Sequence, residues 1–179
     1  MNKKLKSGFT LTELMVTVAI VGIVSSIAMP SFVDMIKNAR LKTAAESIYT
    51  DLQYTKMQSV KQNTVVSLVF SKTSNSNWCY GITDKADCDC TKALADAASC
   101  SITENGAAIL KVTSSSELSD MQLTSAEDGF SFNPVRSTVS SGGVTLYNDT
   151  NYVRVKTSGL GKVSYCIPSG NSWGGYYSC

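Results

Sequence analysis

One carboxylate, Glu13, lies just inside the longest apolar run of the chain, in the stretch KSGFTLTELMVTVAIVGIVSSIAMPSF (Lys6 to Phe32). It comes five positions after Gly8 in a Gly–Phe junction, and residues 14–33 contain no charged side chain. A helix of 20 such residues spans about 30 Å, the thickness of the hydrocarbon core of a bilayer. A carboxylate in that setting is stabilised by a partner cation, so its position favours ion pairing rather than catalysis.

The residue types in the chain give little support for an enzymatic function. None of the 179 residues is histidine, which removes the commonest general base and the commonest metal ligand together. Serine is abundant, but the usual nucleophile–base pair cannot be built without histidine, and no motif marks a Ser–Lys dyad. We therefore interpret the chain as a non-enzyme that uses no cofactor and no metal.

The apolar run and the residues after it predict one long helix from Phe9 to about Gln62, about 80 Å long at 1.5 Å per residue. Residues 9–33 form the membrane half, where Pro30 removes one backbone donor and introduces a kink. Residues 34–62 are amphipathic, so this half should pack against a globular head. Its apolar stripe consists of Leu41, Ala44, Ala45, Ile48 and Leu52.

Basic residues set the orientation of the apolar run. Three lysines precede it, at positions 3, 4 and 6, so we expect the N-terminus to stay cytoplasmic and the rest to be exported. A conventional secretory signal is the alternative, because Ser26-Ile27-Ala28 is similar to a small-x-small cleavage site. Glu13 and the helical periodicity that continues beyond this site argue against that alternative.

The residues from Lys3 to Leu14, KKLKSGFTLTEL, resemble the class III leader of type IV pilins and of type II secretion pseudopilins. The resemblance rests on a short basic leader, a Gly–Phe junction, a nearby glutamate and then an anchor. It implies that a prepilin peptidase removes residues 1–8 by cutting after Gly8, and that it methylates Phe9 as the new N-terminus. It also implies that Glu13 is an assembly residue, paired with the Phe9 amine of a neighbouring subunit.

Downstream of the helix the pattern changes to strands. Short segments rich in β-branched and aromatic residues are separated by turn formers, which indicates an antiparallel β-rich head in residues 63–179. The predicted strands are Thr64–Ser71, Trp78–Thr83, Ala108–Val112, Gly129–Asn133, Val144–Tyr147, Tyr152–Thr157 and Lys162–Ile167. The predicted fold class is α+β: a long N-terminal helix packed on an antiparallel β-sheet head, which is pilin-like.

The segment from Phe130 to Cys166 resembles the C-terminal half of the GspH/FimT group of minor pilins and pseudopilins. Phe132-Asn133-Pro134 matches a turn of that group. Gly161–Cys166 (GKVSYC) matches its terminal strand only in part, because lysine and serine stand where the group has two arginines. Both resemblances therefore imply a filament subunit, with a helix for polymerisation and a head for specific contacts.

All six cysteines follow the apolar run, and their even number in an exported segment indicates disulfides. The C-x-C spacing of Cys88 and Cys90 does not suit a zinc ribbon. Among the 15 possible pairings, we favour Cys166–Cys179, which closes the tail in a way that the pilin resemblance also implies, for about 3 kcal/mol. For the other four cysteines we expect Cys79–Cys88 and Cys90–Cys100.

Charge is uneven in the head. Residues 72–128 carry four basic and nine acidic side chains, whereas residues 129–179 carry four basic and one acidic. Aromatic residues accompany the basic ones, so contacts with DNA are one interpretation, and a solvated sheet edge or a subunit contact is the other. The candidate DNA contacts are Arg136, Arg154, Lys156 and Lys162.

Four aspartates lie in the cysteine-rich loop, which spans residues 84–100: Asp84, Asp87, Asp89 and Asp96. Oxygen ligands at this density can hold calcium, but no EF-hand spacing is present. A solvated acidic loop held by disulfides is the interpretation that we favour.

We therefore predict a minor pilin that helps to initiate or cap a type IV pilus. An H-type pseudopilin of a type II secretion system and a DNA-binding minor pilin for natural transformation are the alternatives. The expected partners are other minor pilins, the major pilin, the prepilin peptidase and the inner-membrane assembly machinery. Before assembly the protein would lie in the inner membrane with a periplasmic head, and after assembly in a pilus at the cell surface.

Processing at the Gly8–Phe9 junction can be tested by intact mass. We expect the membrane form to lack eight residues and to carry one added methyl group, because cleavage and methylation occur together in proteins with this leader. A mature N-terminus at Met29 would instead show conventional signal cleavage and would contradict the pilin interpretation.

Overall fold

The computed structural model describes residues 8–119, 121–126, 129–135, 138–140, 142–168 and 173–179, without the side chains of Ala28 and Pro30. Helix α1 spans Leu11–Gln62. The chain divides into two compact units, Met1–Lys37 and Asn38–Cys179. Within the described residues, the strands are β1 Val66–Lys72, β2 Trp78–Thr83, β3 Ser101–Glu104, β4 Ala107–Leu110, β5 Val112–Ser114, β6 Gln122–Ala126, β7 Gly129–Asn133, β8 Thr138–Val139, β9 Gly142–Tyr147, β10 Tyr152–Thr157 and β11 Val163–Cys166.

The strands form antiparallel sheets, which confirms the predicted α+β fold class. A five-stranded sheet has the order β5-β2-β1-β7-β8, and a four-stranded sheet has the order β11-β10-β9-β6. Strands β3 and β4 form a separate two-stranded sheet. Their connecting turn is Asn105-Gly106, where both residues have positive φ, as a two-residue hairpin with a right-handed twist requires.

The amphipathic half of α1 supplies one side of the core. Its predicted apolar stripe from Leu41 to Leu52 is confirmed, since each of the five side chains is at most 2% exposed. These side chains belong to one cluster with residues from the two larger sheets, including Leu68, Phe130 and Leu146. The helix ends after Gln62 because Asn63 adopts a left-handed conformation, with φ of 52°.

Tyrosines join α1 to the strands at three points. The Tyr80 hydroxyl donates to Asp51 Oδ2 at 2.6 Å, and the Tyr54 hydroxyl donates to Glu104 Oε1 at 2.9 Å. Burial raises the pKa of Asp51, although the bond from Tyr80 acts in the opposite direction. The Tyr49 ring stacks on Tyr165 with 4.9 Å between centroids, and burial raises the pKa of Tyr165 to about 12.

The disulfides agree with the sequence prediction at one position and correct it at two. Cys166–Cys179 is present, but the other bridges are Cys79–Cys90 and Cys88–Cys100. The expected pairs Cys79–Cys88 and Cys90–Cys100 were wrong because the loop folds back on itself. Lys85 Nζ donates to the carbonyls of Ala97 and Ser99, which holds the start of the loop beside its end and places Cys88 next to Cys100.

The predicted strand Ala108–Val112 is also corrected. It is two strands, because β4 pairs with β3 whereas β5 pairs with β2. Lys111 marks the change: its N–H donates to the Cys100 carbonyl, and its own carbonyl accepts from the Ile82 N–H. The pattern of short β-branched segments missed β3, β6 and β8, whose sequences are polar or very short.

The loop packs against β2 at Gly81, and this contact gives a stability prediction. A Cβ at Gly81 would overlap the Cys100 side chain, whereas a Cβ at Gly159 would meet nothing within 4 Å. We expect Gly81→Ala to lower the free energy of unfolding by about 1–3 kcal/mol through overpacking, and Gly159→Ala to leave it nearly unchanged. Thermal unfolding of the two full-length variants, followed by circular dichroism, measures the difference. Equal melting temperatures would contradict the tight contact.

Candidate functional site at the N-terminal segment

Gly8, Phe9 and Thr10 precede α1 without regular secondary structure. The Phe9 side chain is 80% exposed, and no atom lies within 4 Å of the position that a Cβ at Gly8 would take. An exposed segment without regular structure is the usual substrate geometry for a peptidase. The predicted cleavage site is therefore accessible in the folded chain, while the three leader lysines lie outside the described residues.

Glu13 closes a capping box with Thr10. Glu13 Oε2 accepts hydrogen bonds from the Thr10 N–H at 3.0 Å and from the Thr10 hydroxyl at 2.9 Å, and Thr10 Oγ1 accepts the Glu13 N–H at 3.3 Å. These bonds satisfy backbone donors at the first turn, where the helix dipole also favours a carboxylate. The sequence prediction missed the role of Thr10, although the spacing Thr-x-x-Glu before an apolar run indicates it.

The capping box uses only one oxygen of the carboxylate. Both bonds from Thr10 end on Oε2, and Glu13 Oε1 accepts no hydrogen bond from the described part of the chain. A carboxylate has lone pairs on both oxygens, so Glu13 is able to hold the helix start and accept a second partner at the same time. The geometry therefore leaves room for the cation that the pilin resemblance implies.

The described apolar side chains that follow Glu13 in α1, up to Ile36, are exposed. Every described side chain from Gly8 to Ile36 is exposed, including Leu14 at 58%, Ile20 at 55% and Phe32 at 63%. A continuous exposed apolar surface of this length marks contact with lipid or with another protein. This segment is consequently a candidate surface for contact with lipid or with another helix.

The membrane and kink predictions both concern this segment. No single helix among the described residues is long and apolar enough to cross a membrane, but one bent pair, Leu11–Ile27 with Ser31–Gln62, meets the requirement in length and composition. Pro30 lies in the interval between the two segments, but its side chain is outside the described residues. Its role as the cause of a kink therefore stays a prediction.

The basic residues proposed as DNA contacts are only partly brought together. Arg154 and Lys156 alternate with the buried Val153 and Val155, so they share the outer face of β10. The Arg154 guanidinium lies across Gly143 of the neighbouring strand. Lys162 is in the turn before β11, and Arg136 lies outside the described residues.

The four aspartates of the cysteine-rich loop are used by the loop itself. Asp84 Oδ2 accepts the Thr103 N–H, Asp87 Oδ1 accepts the Cys88 N–H, and Asp96 Oδ1 accepts the Ala98 N–H. Asp89 Oδ1 accepts both the N–H and the hydroxyl of Thr91, and these two bonds lower the Asp89 pKa. Among the described residues, no group of three or more acidic or cysteine side chains is arranged to hold a metal ion.

Comparison with known proteins adds two family matches. A family model described as Type II transport protein GspH matches residues 44–161, and a second, described as Prokaryotic N-terminal methylation motif, matches residues 3–29. No curated protein and no solved structure matches the chain. The first match covers most of the head and the helix half that packs on it, and the second covers the segment with Gly8, Phe9 and Glu13.

Substitution of Glu13 separates its charge from its role in capping. Glutamine also serves in a capping box, so Glu13→Gln keeps the helix start and removes only the charge, whereas Glu13→Ala removes both. We expect both variants to be cleaved and inserted in the membrane normally, but to be nearly absent from filaments. Immunoblots of membrane and sheared-filament fractions measure this. Normal incorporation of Glu13→Gln would show that the charge is dispensable.

Proposed function

The chain belongs to the GspH family of type IV pilin-like proteins, and from this we propose a specific role. It is a minor pilin that helps to initiate or cap a type IV pilus. The N-terminal methylation motif implies a membrane-anchored subunit that is processed by prepilin peptidase and assembles with other pilins. The observation that carries the proposal is the exposed apolar segment of α1, in which Glu13 is the one charged residue between positions 11 and 33.

Cleavage creates the partner that Glu13 needs. Before cleavage, the Phe9 nitrogen is part of an uncharged peptide bond to Gly8. After cleavage it is an amine, and methylation of an amine leaves its positive charge in place. A mature subunit therefore carries one cation and one anion four residues apart at the same end of its apolar segment.

Assembly by this pair follows from the cost of charges in lipid. An ionised side chain costs about 2.5–3.5 kcal/mol at the centre of a bilayer and less near an interface. Pairing Glu13 with the Phe9 amine of the next subunit removes much of that cost for both groups. Because the carboxylate is hydrogen-bonded to Thr10 at the helix start, the pair also sets the axial register between neighbouring helices.

The head supplies the contacts that distinguish this subunit from others. Two bridges tie the cysteine-rich loop to itself and to β2, and the Cys166–Cys179 bridge ties the C-terminus to β11. We propose residues 63–179 as the periplasmic head, residues 34–62 as the helix half that supports it and residues 9–33 as the assembly half. Other minor pilins and the major pilin are the partners for these surfaces, and no enzymatic step is required.

An H-type pseudopilin of a type II secretion system is the second candidate. The description of the matching family, Type II transport protein GspH, favours it. Both candidates use the same helix, the same carboxylate and the same peptidase. They differ in where the assembled filament lies and in what fails when the subunit is missing.

A third candidate, a DNA receptor, has weaker support. Affinity for duplex DNA depends on the number of phosphates that are neutralised, with a salt slope of about 0.9 per phosphate. Arg154 and Lys156 share one face, whereas Lys162 lies in a separate turn. A surface with two adjacent cations binds DNA weakly at physiological salt.

Deletion of the gene distinguishes the first two candidates. We expect the deletion strain to lose most surface pili while secreting its extracellular enzymes normally, and the protein itself to appear in sheared pili. Electron microscopy, immunoblots of sheared material and assays of culture supernatants measure these outcomes. Lost secretion with normal piliation would favour the pseudopilin, and complementation with Glu13→Gln serves as the inactive control.

A further inference from the structure

The cysteine-rich loop lies across the outer face of the five-stranded sheet. In β2, Trp78 and Tyr80 belong to the core cluster, so Cys79 and Gly81 face the opposite side. There Cys79, Cys90 and Cys100 form a second buried cluster, against which the partly buried Val112 packs, and this cluster attaches the loop to the sheet. The loop leaves an open groove on each side of it.

The first groove has a volume of about 480 Å³ and lies between the β1–β2 turn, the Cys79–Cys90 bridge and the residues that follow β5. Seven of its lining residues carry a hydroxyl group, and none of its described lining residues is charged. Four of its polar side chains form no hydrogen bond within the described part of the chain: Ser71, Thr73, Ser76 and Asn77. These groups are available to a ligand.

The second groove has a volume of about 620 Å³ and lies between Ala86–Asp87 of the loop and strands β1 and β7. Ser67, Ser131 and Ser140 line it, and Asp87 is its one charged residue among those described. Ser67, Val69 and Ser71 alternate on the same face of β1, with Ser67 and Val69 in this groove and Ser71 in the first. The two grooves therefore lie in line along the same face of β1, with roughly 13 Å from Ser67 to Ser71 at 3.3 Å per residue.

We propose that these two grooves, which lie in line on one face of β1, bind a neutral oligosaccharide chain. Hydroxyl groups both donate and accept hydrogen bonds, which matches the hydroxyl-rich edges of sugar rings. The volumes lie within the range of about 300–1,000 Å³ that is usual for small-molecule sites. Two grooves in line along one strand suit a linear chain of several rings rather than a single compact ligand.

The lining disfavours the other extended ligands. Nucleic acids and anionic lipids need cations for their phosphates, and the only charged residue described in either lining is the carboxylate of Asp87. A peptide binds by strand addition at a sheet edge, where backbone groups are free. The floor here is a sheet face, which presents side chains, because backbone hydrogen bonds lie in the plane of the sheet.

The groove walls are fixed before any ligand binds. The Cys79–Cys90 bridge holds one wall of the first groove, and the Ser115 hydroxyl donates to the Ser76 carbonyl at 2.9 Å across its end. In the second groove, the Ser67 and Ser131 hydroxyls are 2.8 Å apart and hydrogen-bonded. A preformed site loses little conformational entropy on binding, which favours measurable affinity for a weakly interacting neutral ligand.

The test uses the mature full-length protein in a zwitterionic detergent, which has no sugar headgroup to compete. Maltohexaose, cellohexaose and chitohexaose are titrated by calorimetry and saturation-transfer NMR, with a heparin hexasaccharide and a short DNA duplex as charged probes. We expect at least one neutral hexasaccharide to bind with a millimolar or tighter Kd, and the charged probes to bind more weakly. Absence of binding by all three neutral chains, or equal binding of the charged probes, would overturn the proposal.

Groove-filling variants locate the binding. Thr73→Phe fills the first groove and Ala86→Phe the second. Both positions are exposed and neither side chain makes a hydrogen bond within the described part of the chain, so the fold should tolerate them. Ser158→Phe, in the exposed turn after β10, is the matched control. We expect each groove variant to raise the Kd by about tenfold or more, at unchanged melting temperature, and the control to bind like the parent. Unchanged binding in both groove variants would place the sugar elsewhere and contradict the proposal.

Filament incorporation is measured separately, because sugar binding does not depend on which filament the subunit enters.

Discussion

The whole protein depends on one constraint: a single helix carries two surfaces that require different surroundings. From Leu41 to Leu52 the apolar side chains are buried against sheets of the same chain, whereas the described side chains up to Ile36 are exposed. The buried part contributes to the stability of the head, because each large apolar side chain gains about 1.5–3 kcal/mol from leaving water. The exposed part gains nothing until lipid or other helices cover it, and that gain drives anchoring in the membrane. Association of helices that lipid already covers depends instead on packing and on polar contacts between them.

The lone carboxylate makes the association of these helices specific. Apolar helices slide along one another with little preference for register, whereas a charge in lipid has a strong preference for its partner. The capping box suits Glu13 to the proposed pairing with a cation, since Thr10 is hydrogen-bonded to one carboxylate oxygen and the other oxygen is left accessible. In the function proposed above, processing and assembly are linked, because the cleavage that removes the leader also creates the amine that pairs with Glu13.

Much of this could be predicted from local sequence patterns. The stripe on α1, the central strands β2, β7 and β10, and the closing bridge Cys166–Cys179 all follow from spacing, side-chain type or position near the C-terminus. The capping box was equally local and was overlooked, although Thr10 and Glu13 have the required spacing. The polar strand β6 was missed because its pairing with β9, rather than its own propensity, makes it a strand.

The sequence by itself determined the helix, its division into an apolar and an amphipathic half, the position of the carboxylate and the antiparallel head, because these depend on periodicity and on neighbours within a few residues. Only the tertiary structure decided how Cys79, Cys88, Cys90 and Cys100 pair, since alternative bridges among them close loops of similar length and similar entropic gain. It also decided that the cysteine-rich loop lies over β2, where Gly81 alone makes room for Cys100. The grooves beside that loop exist for the same reason: their walls come from segments far apart in sequence, which no local pattern brings together.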